Sequence, residues 1–186
     1  ETSTLEADQY WYKEADYYRV LDAKTDELMG HFYLDLFPRE GKFSHAAQFR
    51  LRPGCLDAEG KRVPSCAALV CNFSEPEGEK PSLLTHREVE TLFHEFGHCM
   101  HTICATGVKY AMFSGTSVER DFVECPSQML ENWCWEPEIL KRMSKHWKTN
   151  ESLPDDLISS LVASRLANEG INNMRQVALA SYDQRI

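Results

Sequence analysis

The sequence predicts an α+β fold in which a small antiparallel or mixed sheet precedes a helical core. Turn-forming residues separate short runs of aromatic and aliphatic residues in the first half of the chain. From residue 86 onward, apolar residues recur at helical spacing instead. A length of 186 residues with 42% hydrophobic content is enough to bury one core. Strands followed by helices therefore predict one α+β domain rather than alternating βαβ units.

The strand-rich part is expected to cover residues 1–81. Four runs are predicted as strands, the first two paired as a β-hairpin: residues 17–21, 31–36, 45–51 and 67–73. A turn-forming stretch at residues 53–64 separates the third run from the fourth. The fourth run is almost entirely apolar, which is typical of a strand buried in a core.

The helical part is expected to cover residues 82–186. Its first helix carries an apolar stripe: Val89, Leu92, Phe93, Phe96, Met100, Ile103 and Cys104. Gly107 is predicted to end this helix. Thr116 and Glu119 match a capping box for a second helix that runs toward residue 135, and Pro126 should kink or break it. Two or three further helical stretches are predicted, around residues 137–147, 155–167 and 171–182.

Composition argues against nucleic acid or a membrane as a partner. The formal charge of -9 disfavours nucleic acid and anionic lipid surfaces. The longest apolar run, residues 66–71, is far too short to span a bilayer. Seven cysteines without a C-x-x-C pair predict reduced thiols. We therefore expect a cytoplasmic protein, with the mitochondrion or another intracellular compartment as the alternative.

The first predicted helix contains the segment His94-Glu95-Phe96-Gly97-His98. Residues four apart share a helix face, so both imidazoles can reach one ion at about 2.0–2.1 Å. Glu95 lies to one side, where it can accept a proton from a zinc-bound water whose pKa the metal lowers. The pattern predicts one zinc ion per chain, bound by His94 and His98, and hydrolysis of an amide with Glu95 as the catalytic base.

Gly97 is an unusual residue for the middle of this helix. Glycine destabilises a helix interior by about 1 kcal/mol relative to alanine. We therefore predict that another helix or a strand approaches Gly97 too closely for a side chain to fit.

A catalytic zinc site usually takes a third protein ligand and leaves one position open for water. His101 lies one turn too far along the helix, so we expect it to line the cleft or support the ligands. The spacing alone leaves four carboxylates of the second helix open as the third ligand: Glu119, Asp121, Glu124 and Glu131.

Three motifs in this order resemble the thimet oligopeptidase and neurolysin family. They are HEFGHCMH at residues 94–101, FSGT at 113–116 and DFVECPSQMLENW at 121–133. Residues 32–42 and 67–73 are similar to strands of that family, so the resemblance spans nearly the whole chain. It implies a zincin-like helical core and a zinc endopeptidase that acts on short peptides within a deep channel.

The resemblance also assigns residues. It implies that Glu124 is the third zinc ligand, and we expect Gln128 and Glu131 to support the ligands from outside the metal's direct contacts. It implies further that residues 67–73 form a strand beside the zinc, to whose edge an extended peptide adds through backbone hydrogen bonds. The expected substrate-binding residues are Ala67, Ala68, Leu69, Val70 and His101.

Family members are several times longer, and their Gly-rich segment with Tyr and His residues has no counterpart in this sequence. The resemblance therefore implies that residues 1–186 are one catalytic-core segment of a larger peptidase. We expect the remainder of that protein to complete the channel. Because the segment that steadies the oxyanion is absent, we expect this chain alone to be weakly active or inactive.

Three other interpretations were weighed. An aminopeptidase of another zinc class usually carries a G-x-M-x-N strand, which does not precede His94. An interaction module that had lost activity would show damage at Glu95 or the ligands, and these residues are intact. A structural zinc site usually has four protein ligands, which the pattern does not supply.

Overall fold

A computed structural model of the protein describes residues 11–185. The start of the expected strand-rich range, residues 1–10, and the end of the helical range, Ile186, lie outside the described residues. The chain divides into two compact units, of which the first ends at Cys134 and the second begins at Trp135. Each unit is described separately below.

The first unit contains a four-stranded mixed sheet in the order β1-β2-β6-β3. The strands of this unit, including a short β4–β5 hairpin, are β1 Asp16–Leu21, β2 Leu28–Asp35, β3 Ala47–Arg52, β4 Cys55–Leu56, β5 Arg62–Val63 and β6 Ser65–Val70. β1 and β2 pair antiparallel, which confirms the predicted hairpin. β6 pairs parallel with β2 and antiparallel with β3, so the sheet is mixed. The α+β arrangement predicted from the sequence is confirmed.

The hydrophobic core lies between one face of this sheet and the first helix, α1 His86–Cys104. Phe32, Ala67 and Leu69 project from the sheet, and Cys99 and Ile103 meet them from the helix. Alternate residues of each strand share this face, as the pleat of a sheet requires. Leu92, Phe96, Met100 and Ile103 of the predicted apolar stripe therefore pack against the sheet, whereas Cys104 is exposed. The opposite side of the helix is left for other contacts.

A capping box that the sequence analysis missed starts α1. The Thr85 hydroxyl accepts a hydrogen bond from the backbone N–H of Glu88 at 3.3 Å, and the Glu88 carboxylate accepts one from the backbone N–H of Thr85 at 2.7 Å. These bonds satisfy N–H groups that the first turn of a helix leaves free. The helix ends at Cys104, three residues before the predicted stop at Gly107.

The predicted capping box at Thr116 and Glu119 is wrong. Glu119 is itself the residue that precedes the next helix, and no side chain caps that helix. The second predicted helix is broken into α2 Arg120–Val123, α3 Cys125–Glu131 and a 3-10 turn at Asn132–Trp135. The break confirms the effect expected of Pro126, which lies in the first turn of α3, where its missing N–H costs no hydrogen bond.

The second unit consists of helices joined by loops: α4 Pro137–Met143, α5 Asp155–Ser164 and α6 Glu169–Asp183. These helices occupy the three stretches predicted from the sequence. Leu140 of α4 and Ile158 of α5 are almost fully buried, while the side chains of α6 are exposed. Within the described residues, each helix is too short or too polar to cross a lipid bilayer.

A buried ionic cluster lies at the carboxyl end of β2. Asp35 is 3% exposed and accepts hydrogen bonds from Arg39 Nη1 at 2.7 Å and Nη2 at 2.8 Å, from Trp11 Nε1 at 2.9 Å and from Lys42 Nζ at 2.9 Å. Lys42 Nζ also donates to the backbone oxygen of Cys71 at 2.6 Å, just after β6. The cluster therefore ties the ends of two parallel strands together.

Burial raises the pKa of Asp35, but its hydrogen bonds to Arg39, Lys42 and Trp11 outweigh this and hold the pKa at about 2. The folded pKa lies below the ordinary value of 3.8. The ionised carboxylate therefore stabilises the fold fully above that ordinary value, and this stabilisation is lost as the pH falls toward 2.

We predict that Asp35→Asn lowers the free energy of unfolding at neutral pH by about 3 kcal/mol, because it leaves Arg39 and Lys42 without their counter-charge. Urea unfolding over a pH series measures this effect. The variant should also show a flatter loss of stability than the wild type as the pH falls from 3.8 to about 2. Parallel stability curves for the two proteins would contradict this account.

Candidate metal centre

The two histidines of the HEFGH segment lie side by side on α1. The ring centres of His94 and His98 are 4.9 Å apart, and the rings are nearly perpendicular, at 82°. One helical turn separates them, as expected for residues four apart. The segment thus presents two imidazoles on one helix face, while Cys99 and Ile103 of the same helix are buried in the core.

A carboxylate from the junction of α2 and α3 completes the cluster. Glu124 Oε2 lies 3.2 Å from His94 Nε2 and 3.1 Å from His98 Nε2. Among residues 11–185, these three form the one group of His, Cys, Asp or Glu side chains in which three ligand atoms all lie within 4.8 Å of one another. Two imidazole nitrogens and one carboxylate oxygen converge on a single point.

The structure separates the four carboxylates that spacing alone leaves open. Glu119 and Asp121 are exposed at the start of α2. Glu124 faces the Nε2 atoms of both histidines, and Glu131 lies at the far side of His94. The break between α2 and α3 places Glu124 and Glu131 on either side of one imidazole.

Glu131 fixes the orientation of the His94 ring. His94 Nδ1 donates a hydrogen bond to Glu131 Oε1 at 2.6 Å, because a carboxylate can only accept. With its proton on Nδ1, a neutral imidazole keeps the lone pair of Nε2 available to a metal. His98 Nδ1, by contrast, is buried and has no hydrogen-bond partner among the described residues.

Ser127, which the sequence analysis missed, contacts the Glu124 carboxylate. Its hydroxyl donates to Glu124 Oε2 at 2.8 Å and lies 2.9 Å from the backbone oxygen of the same residue. Burial raises the pKa of Glu124, but the Ser127 hydrogen bond and the nearby His98 and His94 bring it below its ordinary value. The carboxylate is therefore held in its ionised form, the form that binds metals.

Glu95 is half-buried on α1 between the two histidines and is not a member of the cluster. Burial raises the pKa of the Cys71 thiol to about 12, and the Glu95 carboxylate contributes to this shift. Burial likewise raises the pKa of the Cys99 thiol, again with a contribution from Glu95. Glu95 therefore lies near the residue that follows β6.

All seven cysteines, residues 55–134, are unpaired, as expected.

His101 and Gln128 lie close to the cluster in sequence but outside it in the structure. The His101 ring packs edge-on against Phe122 with 6.1 Å between ring centres, and burial together with His98 lowers its pKa. The Gln128 side chain is exposed, and its backbone N–H donates to the Glu124 carbonyl at 2.9 Å as part of the helix. Their roles beside substrate and ligands stay predictions.

The expectation that a peptide adds to the edge of the 67–73 strand is wrong. β6 is paired on both sides, with β2 along one edge and β3 along the other, so its backbone groups already have partners. Ala67, Ala68, Leu69 and Val70 are also buried. An apolar run indicates a buried strand, but only the assembled sheet shows which strands lie at its edges.

Helices α1 and α3 approach each other closely at Gly97. A Cβ atom at this position would lie 2.5 Å from the Cα atom of Ser127 and 2.8 Å from the backbone oxygen of Pro126. Both distances are far below van der Waals contact. The prediction of a close neighbour at Gly97 is confirmed, and the neighbour is a helix.

The turn before α2 is held against α1 in a similar way. Gly115 has a φ of +60°, and a Cβ atom there would lie 2.9 Å from the Cα atom of Thr102. Arg50 of β3 donates to the backbone oxygen of Ser114 and to the Ser117 hydroxyl, both at 2.6 Å. The contact between Gly115 and Thr102 and the hydrogen bonds from Arg50 thus hold the turn that precedes α2.

Comparison with known proteins identifies the family to which these features belong. The family model described as peptidase family M3 matches residues 2–186. The chain belongs to peptidase family M3. The resemblance to thimet oligopeptidase seen in the sequence is thereby confirmed.

Several relatives of this family M3 chain match nearly its whole length. A thimet-like oligopeptidase from Dictyostelium discoideum is 51% identical over 181 residues, which are 96% of this chain and 27% of that protein. Saccharolysin from Saccharomyces cerevisiae is 38% identical over 190 residues, 100% of this chain and 26% of the relative. Oligopeptidase A from Escherichia coli is 40% identical over 177 residues, 95% of this chain and 26% of the relative. The chain therefore spans about a quarter of the length of these relatives.

We predict that Gly97→Ala destabilises the protein by about 3 kcal/mol, the upper part of the range for overpacking, because the added methyl meets backbone atoms that cannot rotate away. The same change should weaken the binding of added zinc at the cluster, since α3 carries two of the residues that contact its members, Ser127 and Glu131. Urea unfolding and competition with a zinc chelator measure the two effects.

Gly170→Ala is the matched control for this substitution. Gly170 lies in the first turn of α6, and no atom of the described residues outside its chain neighbours and the surrounding helix backbone lies within 4 Å of the position of its Cβ. Alanine should leave the protein as stable as the wild type or more stable by up to about 1 kcal/mol. Wild-type stability and zinc binding in Gly97→Ala would show that the close approach of the two helices is not required.

Proposed function

We propose that this chain is the zinc-binding catalytic part of a metalloendopeptidase that hydrolyses peptide bonds in short peptides. The observation that carries the proposal is the convergence of His94 Nε2, His98 Nε2 and Glu124 Oε2 on one point. Membership of peptidase family M3 supports the reaction class, and the names of the relatives describe oligopeptidases.

The three converging side chains suit zinc. Two imidazole nitrogens and one carboxylate oxygen are a known ligand set of catalytic zinc sites, which leave a fourth position open. The hydrogen bond from His94 to Glu131 is the kind of support that fixes a ligating imidazole. We therefore propose that His94, His98 and Glu124 bind one zinc ion per chain within a zincin-like core.

Zinc, when bound in such a site, polarises a peptide carbonyl and lowers the pKa of a water molecule toward neutrality. Glu95 supplies the acid–base step: its carboxylate accepts a proton from the attacking water and returns it to the leaving amine. Glu95 belongs to the same helix as both histidines, so the base and the ligands share one rigid element.

The other residues predicted from the sequence are given less specific roles in this proposal. We place His101 at the wall of the substrate cleft, one turn of α1 beyond His98. Ala67 and Leu69 pack in the core with α1, so we assign these two residues to the support of that helix rather than to peptide pairing, and Ala68 and Val70 to the opposite, also buried, face of the strand. Gln128 is proposed to lie near the ligands through its position in α3.

The chain spans about a quarter of its relatives, and we propose that residues outside it complete the substrate channel. By the same reasoning, this chain alone should hydrolyse peptides slowly. We propose short peptides as its substrates, with neither nucleic acid nor membrane as a partner. The cytoplasm, or another intracellular compartment, is the proposed location.

We predict that Glu124→Gln loses zinc, because the uncharged amide is a poor substitute for a ligating carboxylate. Glu131→Gln should keep most of its zinc with about tenfold weaker affinity, since it removes only support for His94. Metal analysis after dialysis, combined with chelator competition, measures both effects. Glu119→Gln, an exposed acid just before α2, is the control and should bind zinc like the wild type.

Glu95→Gln should retain zinc and lose at least about a hundredfold in turnover, because the base is removed while the ligands stay. Hydrolysis of a quenched peptide by the full-length protein, measured beside its zinc content, checks this. Wild-type turnover in this variant would remove Glu95 from the mechanism. Zinc loss would instead make Glu95 a ligand.

A further inference from the structure

Ser127 lies where α3 closely approaches Gly97 of α1. Its side chain is fully buried, and its Cα atom is the one that a methyl group at Gly97 would strike. A small residue is required here by packing alone. Alanine would satisfy that requirement, since it is smaller than serine and adds no atom toward Gly97.

The hydroxyl of Ser127 therefore does something beyond packing. Both of its hydrogen-bond partners belong to one residue: Glu124 Oε2 at 2.8 Å and the Glu124 backbone oxygen at 2.9 Å. Oε2 is also the oxygen that faces both histidines. The bond thus reaches the single carboxylate atom on which the cluster depends.

Glu124 needs such a restraint more than the histidines do. Its side chain is 48% exposed, against 25% for His94 and 12% for His98. A glutamate with free rotamers loses up to about 2 kcal/mol of entropy when it is held in one position. Without a partner inside the protein, the carboxylate is free to turn toward solvent.

One face of α3 carries both residues that hydrogen-bond to members of the cluster. Ser127 and Glu131 are four residues apart, so they lie one above the other on that face. Ser127 contacts Glu124, and Glu131 contacts His94. The two contacts fall on different members of the cluster.

We propose that Ser127 is a positioning residue that holds Glu124 Oε2 between the two imidazoles before any metal binds. The proposal rests on the proposed function in one respect, which is that Glu124 acts as a metal ligand. Ser127 touches neither substrate nor metal in this account and acts only through the carboxylate.

The test compares Ser127→Ala with the wild type by competition for zinc against a chelator. We expect about tenfold weaker zinc affinity, the usual effect of removing a group that orients a ligand. The absorption spectrum of bound cobalt(II) should also change, because the ligand oxygen is no longer fixed. The thermal midpoint of the metal-free protein should stay close to that of the wild type.

Ser114→Ala is the matched control. Ser114 is also fully buried, and its hydroxyl has no hydrogen-bond partner among the described residues. This variant should keep the zinc affinity and cobalt spectrum of the wild type.

Two results would overturn the inference while leaving the metal site in place. One is a Ser127→Ala variant that binds zinc as tightly as the wild type. The other is a metal-free Ser127→Ala variant whose thermal midpoint lies well below that of Ser114→Ala. In that case the loss of zinc affinity would be assigned to disturbed packing. Failure of the wild type itself to bind zinc would overturn both the inference and the proposed function.

Discussion

The close approach of α1 and α3 is the constraint on which the rest of the site depends. Because Gly97 has no side chain, the backbone of α3 comes so close to α1 that a methyl group at this position would not fit between them. At this separation, Glu124 reaches both histidines and Glu131 reaches the Nδ1 atom of His94. The cost of a glycine inside a helix is thus offset by the contacts that it permits.

Contacts between α1 and the segment from Gly115 to Glu131 follow an antiparallel order. From the start to the end of the histidine face of α1, the partners move backward along the chain from Glu131 through Ser127 to Phe122 and Gly115. The sheet sets this order from the other side, because the apolar stripe of α1 packs on it and fixes the rotation of the helix. One face of α1 therefore packs in the hydrophobic core, and the other carries the histidines of the cluster.

Patterns that depend on neighbours in sequence were predicted well. Alternating strands, the β1–β2 hairpin, the apolar stripe of α1 and the break at Pro126 all follow from residues within a few positions of each other. The errors have a different origin. Thr116 and Glu119 have the spacing of a capping box, yet the clamp of Arg50 on the preceding turn delays the helix to residue 120. The edge position of strand 67–73 was implied by the family resemblance, and the order of strands in a sheet cannot be read from one apolar run.

The sequence by itself determined that two imidazoles share a helix face with an acid between them, since helical periodicity alone places them there. It also determined that something must lie close to Gly97. Only the tertiary structure decided that Glu124 faces the histidines while Glu131 lies behind His94, and that the Ser127 hydroxyl reaches the carboxylate. The reason is that spacing along one helix is a local property, whereas the distance and rotation between two helices depend on every residue packed between them.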